Sequence, residues 1–149
     1  MQKEEVVAFI RRRLLEQAGT CRTEMELAQQ SANSEEKSSA GDKYETGRAM
    51  SQHQRDFYAG RLSESLSHIA LFEAAISRPA TGKIQAGSLF KAGEQLFFVG
   101  SGLGLLTLPS GLKVVCTTAD SPLGKSLLGK KEGEDIFFAG KKLSIEALS

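Results

Sequence analysis

The 149-residue chain has no Trp, only two Cys and three Pro, and a formal charge of +1. Each scarcity excludes something. Two cysteines, Cys21 and Cys116, cannot build a disulfide framework or a four-ligand zinc site. They suit a reducing compartment, where a buried thiol behaves as a small hydrophobe. Nineteen Lys and Arg against eighteen Asp and Glu create no field that advertises nucleic acid or an anionic membrane. No apolar run approaches the roughly 18 residues of a membrane span. The short apolar patch from Val6 to Ile10 lies between Glu4–Glu5 and Arg11–Arg12–Arg13, which is not a secretory pattern. A cytoplasmic protein with no membrane partner is expected.

What is present divides near residue 78. Residues 1–78 hold four of the fifteen Gly and no Pro, and are dense in Glu, Arg, Gln, Ala, Leu and Met, which favour helix. Residues 79–149 hold the other eleven Gly and all three Pro. In the first half, Val7, Ile10, Leu14, Cys21 and Ala28 follow a three-four spacing, with Gln17 at the missing step. Met50, Phe57, Leu62, Leu66, Ile69, Phe72 and Ile76 form a second stripe. Each predicts one apolar face of an amphipathic helix. The polar stretch from Ser31 to Asp42 reads as the turn between them, with its tip near 33–42. Asp42 and Glu45 have capping-box spacing, so the second helix is predicted to start near 42. Two helices of ~30–35 residues make an antiparallel coiled-coil hairpin roughly 45–50 Å long. Its far end is too distant to fold against a 70-residue partner domain, so the tip is expected to project.

Residues 79–149 alternate short β-type runs with turns: 88–90, 95–99, 103–108, 113–118, 135–139 and 142–148. Between the fourth and fifth, Leu123, Leu127 and Leu128 fall at helical spacing after Pro122, which is well tolerated at a helix start. The expected fold is α+β: a long N-terminal helical hairpin over 1–78, then a small domain over 79–149 with an antiparallel sheet and one short helix.

Most chemistry-bearing residues fit structural roles. Cys21, Cys116, His53 and His68 have no spacing that pairs a thiol with a base or assembles a metal site. Gly100-Ser-Gly-Leu-Gly104 is followed by strand-like residues, not by the helix a dinucleotide loop requires, and reads as a hairpin loop. Arg11–Arg12–Arg13 reads as a solvated helix face, with Glu16 placed for local pairing. The turn differs in kind. Glu35, Glu36, Asp42 and Glu45 bring four carboxylates to the end of the predicted finger. Capping and surface solvation explain them, and so does a second role: hard cations such as Mg²⁺ bind through one or two protein carboxylates plus phosphate and water. Spacing leaves both open.

The strongest single string is Ser121-Pro-Leu-Gly-Lys-Ser-Leu-Leu-Gly-Lys-Lys-Glu-Gly-Glu-Asp-Ile136. It resembles the C-terminal signature of the Gre transcript-cleavage factors of bacterial RNA polymerase. Ile84-Gln-Ala-Gly-Ser-Leu-Phe90 is similar to that family's entry strand, and the helical first half matches its architecture. The resemblance implies an FKBP-like globular domain without isomerase activity, docked at the rim of the polymerase secondary channel. Leu123, Gly124, Lys125, Leu127, Leu128, Lys130 and Lys131 match the signature and are the candidate partner-binding residues. Leu127 and Leu128 have a core role as their alternative, Gly124 and Gly129 a backbone role. The hairpin would present its tip to the polymerase centre near the RNA 3′ end. There the tip acids would share a Mg²⁺ and stimulate hydrolysis of backtracked RNA, the polymerase supplying most of the site. The protein would hold no cofactor of its own, have no activity alone and read no specific DNA.

The tip departs from the family pattern. Cleavage factors carry Asp-x-x-Glu-Asn before Ala-Glu-Tyr; aligned on Tyr44, those two acids become Lys37 and Ala40, and the Asn becomes Gly41. Glu35, Glu36 or Asp42 would have to replace them. The expected function is a Gre-like elongation factor. The alternatives are a channel regulator without cleavage and a coiled-coil interaction module unrelated to polymerase.

Overall fold

The computed structural model describes residues 2–36 and 42–149, without the side chains of residues 35, 36 and 42–45. Two helices, α1 (Gln2–Glu36) and α2 (Asp42–Ile76), precede the strands β1 (Leu89–Ala92), β2 (Gln95–Val99), β3 (Gly104–Thr107) and β4 (Lys113–Thr117). A short helix, α3 (Pro122–Leu127), and the strands β5 (Asp135–Phe138) and β6 (Lys141–Glu146) complete an α+β fold. Both long helices and all six strands fall where periodicity and composition predict them.

Packing separates the chain into two compact units. One comprises Arg12–Ile69; the other joins the stretch up to Arg11 to Ala70–Ser149. The ends of α1 and α2 thus belong with the sheet, because they cover it. In the first unit the helices meet along a seam of mostly small residues: Leu14, Ala18, Cys21, Ala28 and Ala32 are buried on α1, and Ser51 on α2. Two details differ from the predicted stripes. Ala18 fills the step assigned to Gln17, which is exposed, and on α2 Met50, Phe57 and Leu66 point to solvent. Counting back from buried Phe72 in steps of three and four leads through Ile69, Ser65 and Leu62 to Tyr58, and one further step of seven leads to Ser51, all buried or half-buried. Register outranks residue hydrophobicity here: Ser51, Tyr58 and Ser65, the chain neighbours of Met50, Phe57 and Leu66, hold the seam.

In the sheet-bearing unit the strand order is β3-β4-β2-β1-β6-β5. Four ladders are antiparallel, but β2 and β4 pair in parallel, Leu96 opposite Val114 through Val99 opposite Thr117, so the sheet is mixed. The glycine loop after β2 is therefore not a hairpin. It carries the chain past one strand position, and β4 returns through the β3–β4 hairpin to fill it.

Strand β2 is buried from Leu96 to Val99, on both faces, which explains its uninterrupted apolar run. On one face Phe90, Phe97, Val99, Ile136 and Ile145 surround Leu127 of α3. Phe97 stacks on Phe90 at 5.1 Å between centroids and meets Phe138 edge-on at 5.0 Å. On the other face Phe98 packs against Phe72 of α2, 5.9 Å between ring centroids. Val6, Ile10 and Ala75 are buried on the same helix ends. Arg11 donates to Glu73 through Nε at 2.6 Å and Nη2 at 3.1 Å, and its guanidinium lies over Phe72 at 5.9 Å. This fork ties α1 to α2 and takes Arg11 out of the expected solvated face.

Candidate functional site

The segment from Ser121 to Ile136 is built from a cap, a close approach and a left-handed turn. Ser121 is the N-cap of α3: its Oγ accepts from the Gly124 N–H at 3.0 Å and donates to the Thr118 carbonyl at 2.9 Å. Pro122 follows inside the helix start, where a missing N–H costs nothing. Gly124 lies so close to the Thr118 carbonyl that a Cβ there would collide with backbone. Leu127 enters the core. Gly129 then takes a φ of 83°, the left-handed geometry that ends the helix and turns the chain.

That turn is joined to the upstream motif. The Ile84 N–H donates to the Lys130 carbonyl at 2.7 Å, and the Gly129 N–H donates to the Ile84 carbonyl at 2.8 Å. A β-bridge between Lys83 and Lys131 continues the contact. Three residues on, Gly87 at a φ of 97° donates to Val99 at 2.6 Å and lies against the Ala75 carbonyl of α2, where a Cβ would not fit. The two sequence motifs are thus one construction. The 84–90 strand entry connects the end of α2 to the α3 turn.

The candidate partner-binding residues separate by position. Lys125, Leu128 and Lys131 are exposed, Leu128 to 41%. Leu123 is half-buried against the core and Gly124 is buried, so both act inside the domain. Lys130 is half-buried, with its Nζ donating to the Asp135 carbonyl at 3.0 Å. The Thr118 hydrogen bond is the main cause that holds the Asp120 carboxylate below its ordinary range, and Lys125 adds a smaller attraction. Lys142 pairs with Asp135 at 3.4 Å. Of the three candidate lysines, Lys125 and Lys131 are the exposed ones, as is the apolar Leu128.

The side chains of the tip acids Glu35, Glu36, Asp42 and Glu45 are not described, and the aligned positions Lys37, Ala40 and Gly41 lie outside the described residues. Among the described residues no three His, Cys, Asp or Glu side chains come together to hold a metal. Burial pushes the Cys116 thiol up to about 12, the chemistry of an inert core residue. Cys21 is buried as well. Among the described residues no helix is long and apolar enough to cross a membrane.

Sequence reasoning finds the motif residues but not their two closest approaches. Gly87 against Ala75 and Gly124 against Thr118 depend on the distance between segments far apart in the chain or across a turn. The Arg11–Glu73 fork is likewise silent in either helix read alone. No family model and no curated protein matches the chain.

Proposed function

We propose that this chain is a Gre-like protein of the bacterial RNA polymerase secondary channel, acting in the cytoplasm on transcription elongation. The observation that carries the reading is the joined motif. The Ser121–Ile136 string and the Ile84–Phe90 string form one hydrogen-bonded unit, and two helices of 35 residues each precede it in the chain. Each helix is about 52 Å long at 1.5 Å per residue, a length suited to reaching into a channel. In this reading Lys125, Leu128 and Lys131 contact an acidic and partly apolar rim on the polymerase. The carboxylates of Glu35, Glu36, Asp42 and Glu45 supply the oxygen donors that Mg²⁺ takes, shared with the polymerase and close to the RNA 3′ end.

One specific observation favours a second reading. With Lys37 and Ala40 at the positions of the family's two acids, the tip would occupy the channel without promoting hydrolysis. A stalled, backtracked elongation complex separates the two. If the chain is a cleavage factor, adding it accelerates release of the RNA 3′ fragment at neutral pH, and E35A/E36A/D42A abolishes the acceleration while polymerase binding persists. Binding without acceleration identifies the regulator. Acceleration that survives the triple substitution removes the tip acids from the mechanism.

A further inference from the structure

The β-bridge between Lys83 and Lys131 sets two like charges side by side within the sheet-bearing unit. The Ile84 N–H bonds the Lys130 carbonyl at 2.7 Å, one step inward from the bridge on both segments. Lys83 and Lys131 are therefore a non-hydrogen-bonded antiparallel pair, the closer of the two kinds, with Cα atoms about 4.5 Å apart and side chains on one face. Both lysines are exposed. Like charges directly opposite one another destabilise a ladder. Among the described residues neither lysine forms an ion pair that would offset the repulsion.

The backbone holds the pair in register. Ile84 is buried in the core beside Leu127, and its carbonyl accepts from the Gly129 N–H at 2.8 Å. Lys130 does not join the pair, because its Nζ donates to the Asp135 carbonyl. The free domain thus carries a like-charge pair that lowers its stability, and local conflicts of this kind concentrate at functional surfaces. The ligand that relieves it is small and singly anionic. A carboxylate offers two oxygens, one to each ammonium group, in charge-assisted hydrogen bonds. Glu132, Glu134 and Asp135 follow Lys131 in the chain, and an extended polyanion such as RNA would meet their charges as well.

We propose that Lys83 and Lys131 act as a clamp on one Asp or Glu carboxylate of the polymerase rim, which adds Lys83 to the partner surface. This contact rests on the polymerase reading.

The test has two arms, both with the full chain. In urea unfolding at low salt, K83E and K131E should each raise the midpoint, because repulsion becomes attraction across the bridge. The double variant K83E/K131E should return toward the wild type, and added salt should shrink the gains. In binding to bacterial core RNA polymerase at low salt, K83E and K131E should each weaken affinity by about tenfold or more, since each opposes the partner's carboxylate with a like charge. K83Q should weaken it less, and K113E, the same charge reversal at exposed Lys113 of β4, should stay within about twofold of the wild type. Wild-type binding that K83E leaves intact would overturn the clamp and spare the polymerase reading; absence of wild-type binding would end both. Midpoints unmoved by either single reversal, or binding of a short single-stranded RNA that K83E abolishes, would also overturn the clamp.

Discussion

At the scale of single residues, the domain depends on glycines that stand where a side chain cannot. Gly124 is the clearest. It sits inside a helix, where glycine is unfavourable by about 1 kcal/mol relative to Ala, so propensity alone predicts that Gly124→Ala stabilises. The Thr118 carbonyl reverses the sign. We expect Gly124→Ala to destabilise by about 1–3 kcal/mol, measured by urea unfolding, because the helix must shift away from its own cap. An unchanged or raised midpoint would show that α3 moves freely. The need for glycine here is not readable from the string Ser-Pro-Leu-Gly. Serine as a cap and proline at the first turn are legible, since both act within four residues. The collision is with a carbonyl that only the folded turn brings near. Cys116 is the opposite case: an apolar strand context alone implies its inert, buried thiol.

At the scale of elements, α2 shows where hydrophobic patterning succeeds and fails. Its lower half reads correctly except at exposed Leu66, because Leu62, Ile69, Phe72 and Ile76 are both apolar and in register. Its upper half does not, because Met50 and Phe57 are 63% and 57% exposed while Ser51 and Tyr58 turn inward. A stripe drawn through the largest residues slips by one position. Two substitutions test the assignment by thermal or urea unfolding. Leu14→Ala, on the buried seam of α1, should cost about 2–5 kcal/mol. Phe57→Ser should stay within about 0.5 kcal/mol, as for an exposed position; a loss comparable to that of Leu14→Ala would put Phe57 back in the seam. The Arg11–Glu73 fork adds a pH dependence. Its hydrogen bond from Arg11 holds the Glu73 carboxyl below its ordinary 4.5. Stability from this pair is therefore complete above that ordinary value and is lost as pH falls through the depressed one. Glu73→Gln should flatten that acid limb and leave its shape above pH ~5 unchanged. Both side chains are more than a third exposed, so solvent keeps the effect small. The six strands are legible from short β-branched and aromatic runs. The parallel β2–β4 pair is not, because the runs are equally apolar whichever neighbour they take.

At the scale of the whole molecule, near-neutral charge conceals an uneven distribution. The chain up to residue 78 carries −1 and the rest +2, with four acids between positions 35 and 45 and three lysines between positions 125 and 131. That arrangement suits a protein partner better than a nucleic acid, which would favour a broad basic face. The exposed set of Lys125, Leu128 and Lys131 has the chemistry of such a contact, and it is the part of the proposed function that depends least on the tip. Rim lysines of this kind mainly set association rate and salt dependence. The most direct measurement is binding of the full chain to bacterial core RNA polymerase at low salt, read by fluorescence anisotropy. The proposed function requires saturable one-to-one binding that weakens with salt, and a loss of about tenfold or more for K125E/L128S/K131E, its fold checked by circular dichroism. No binding by the wild-type chain at low salt, or equal binding by that variant, would contradict it.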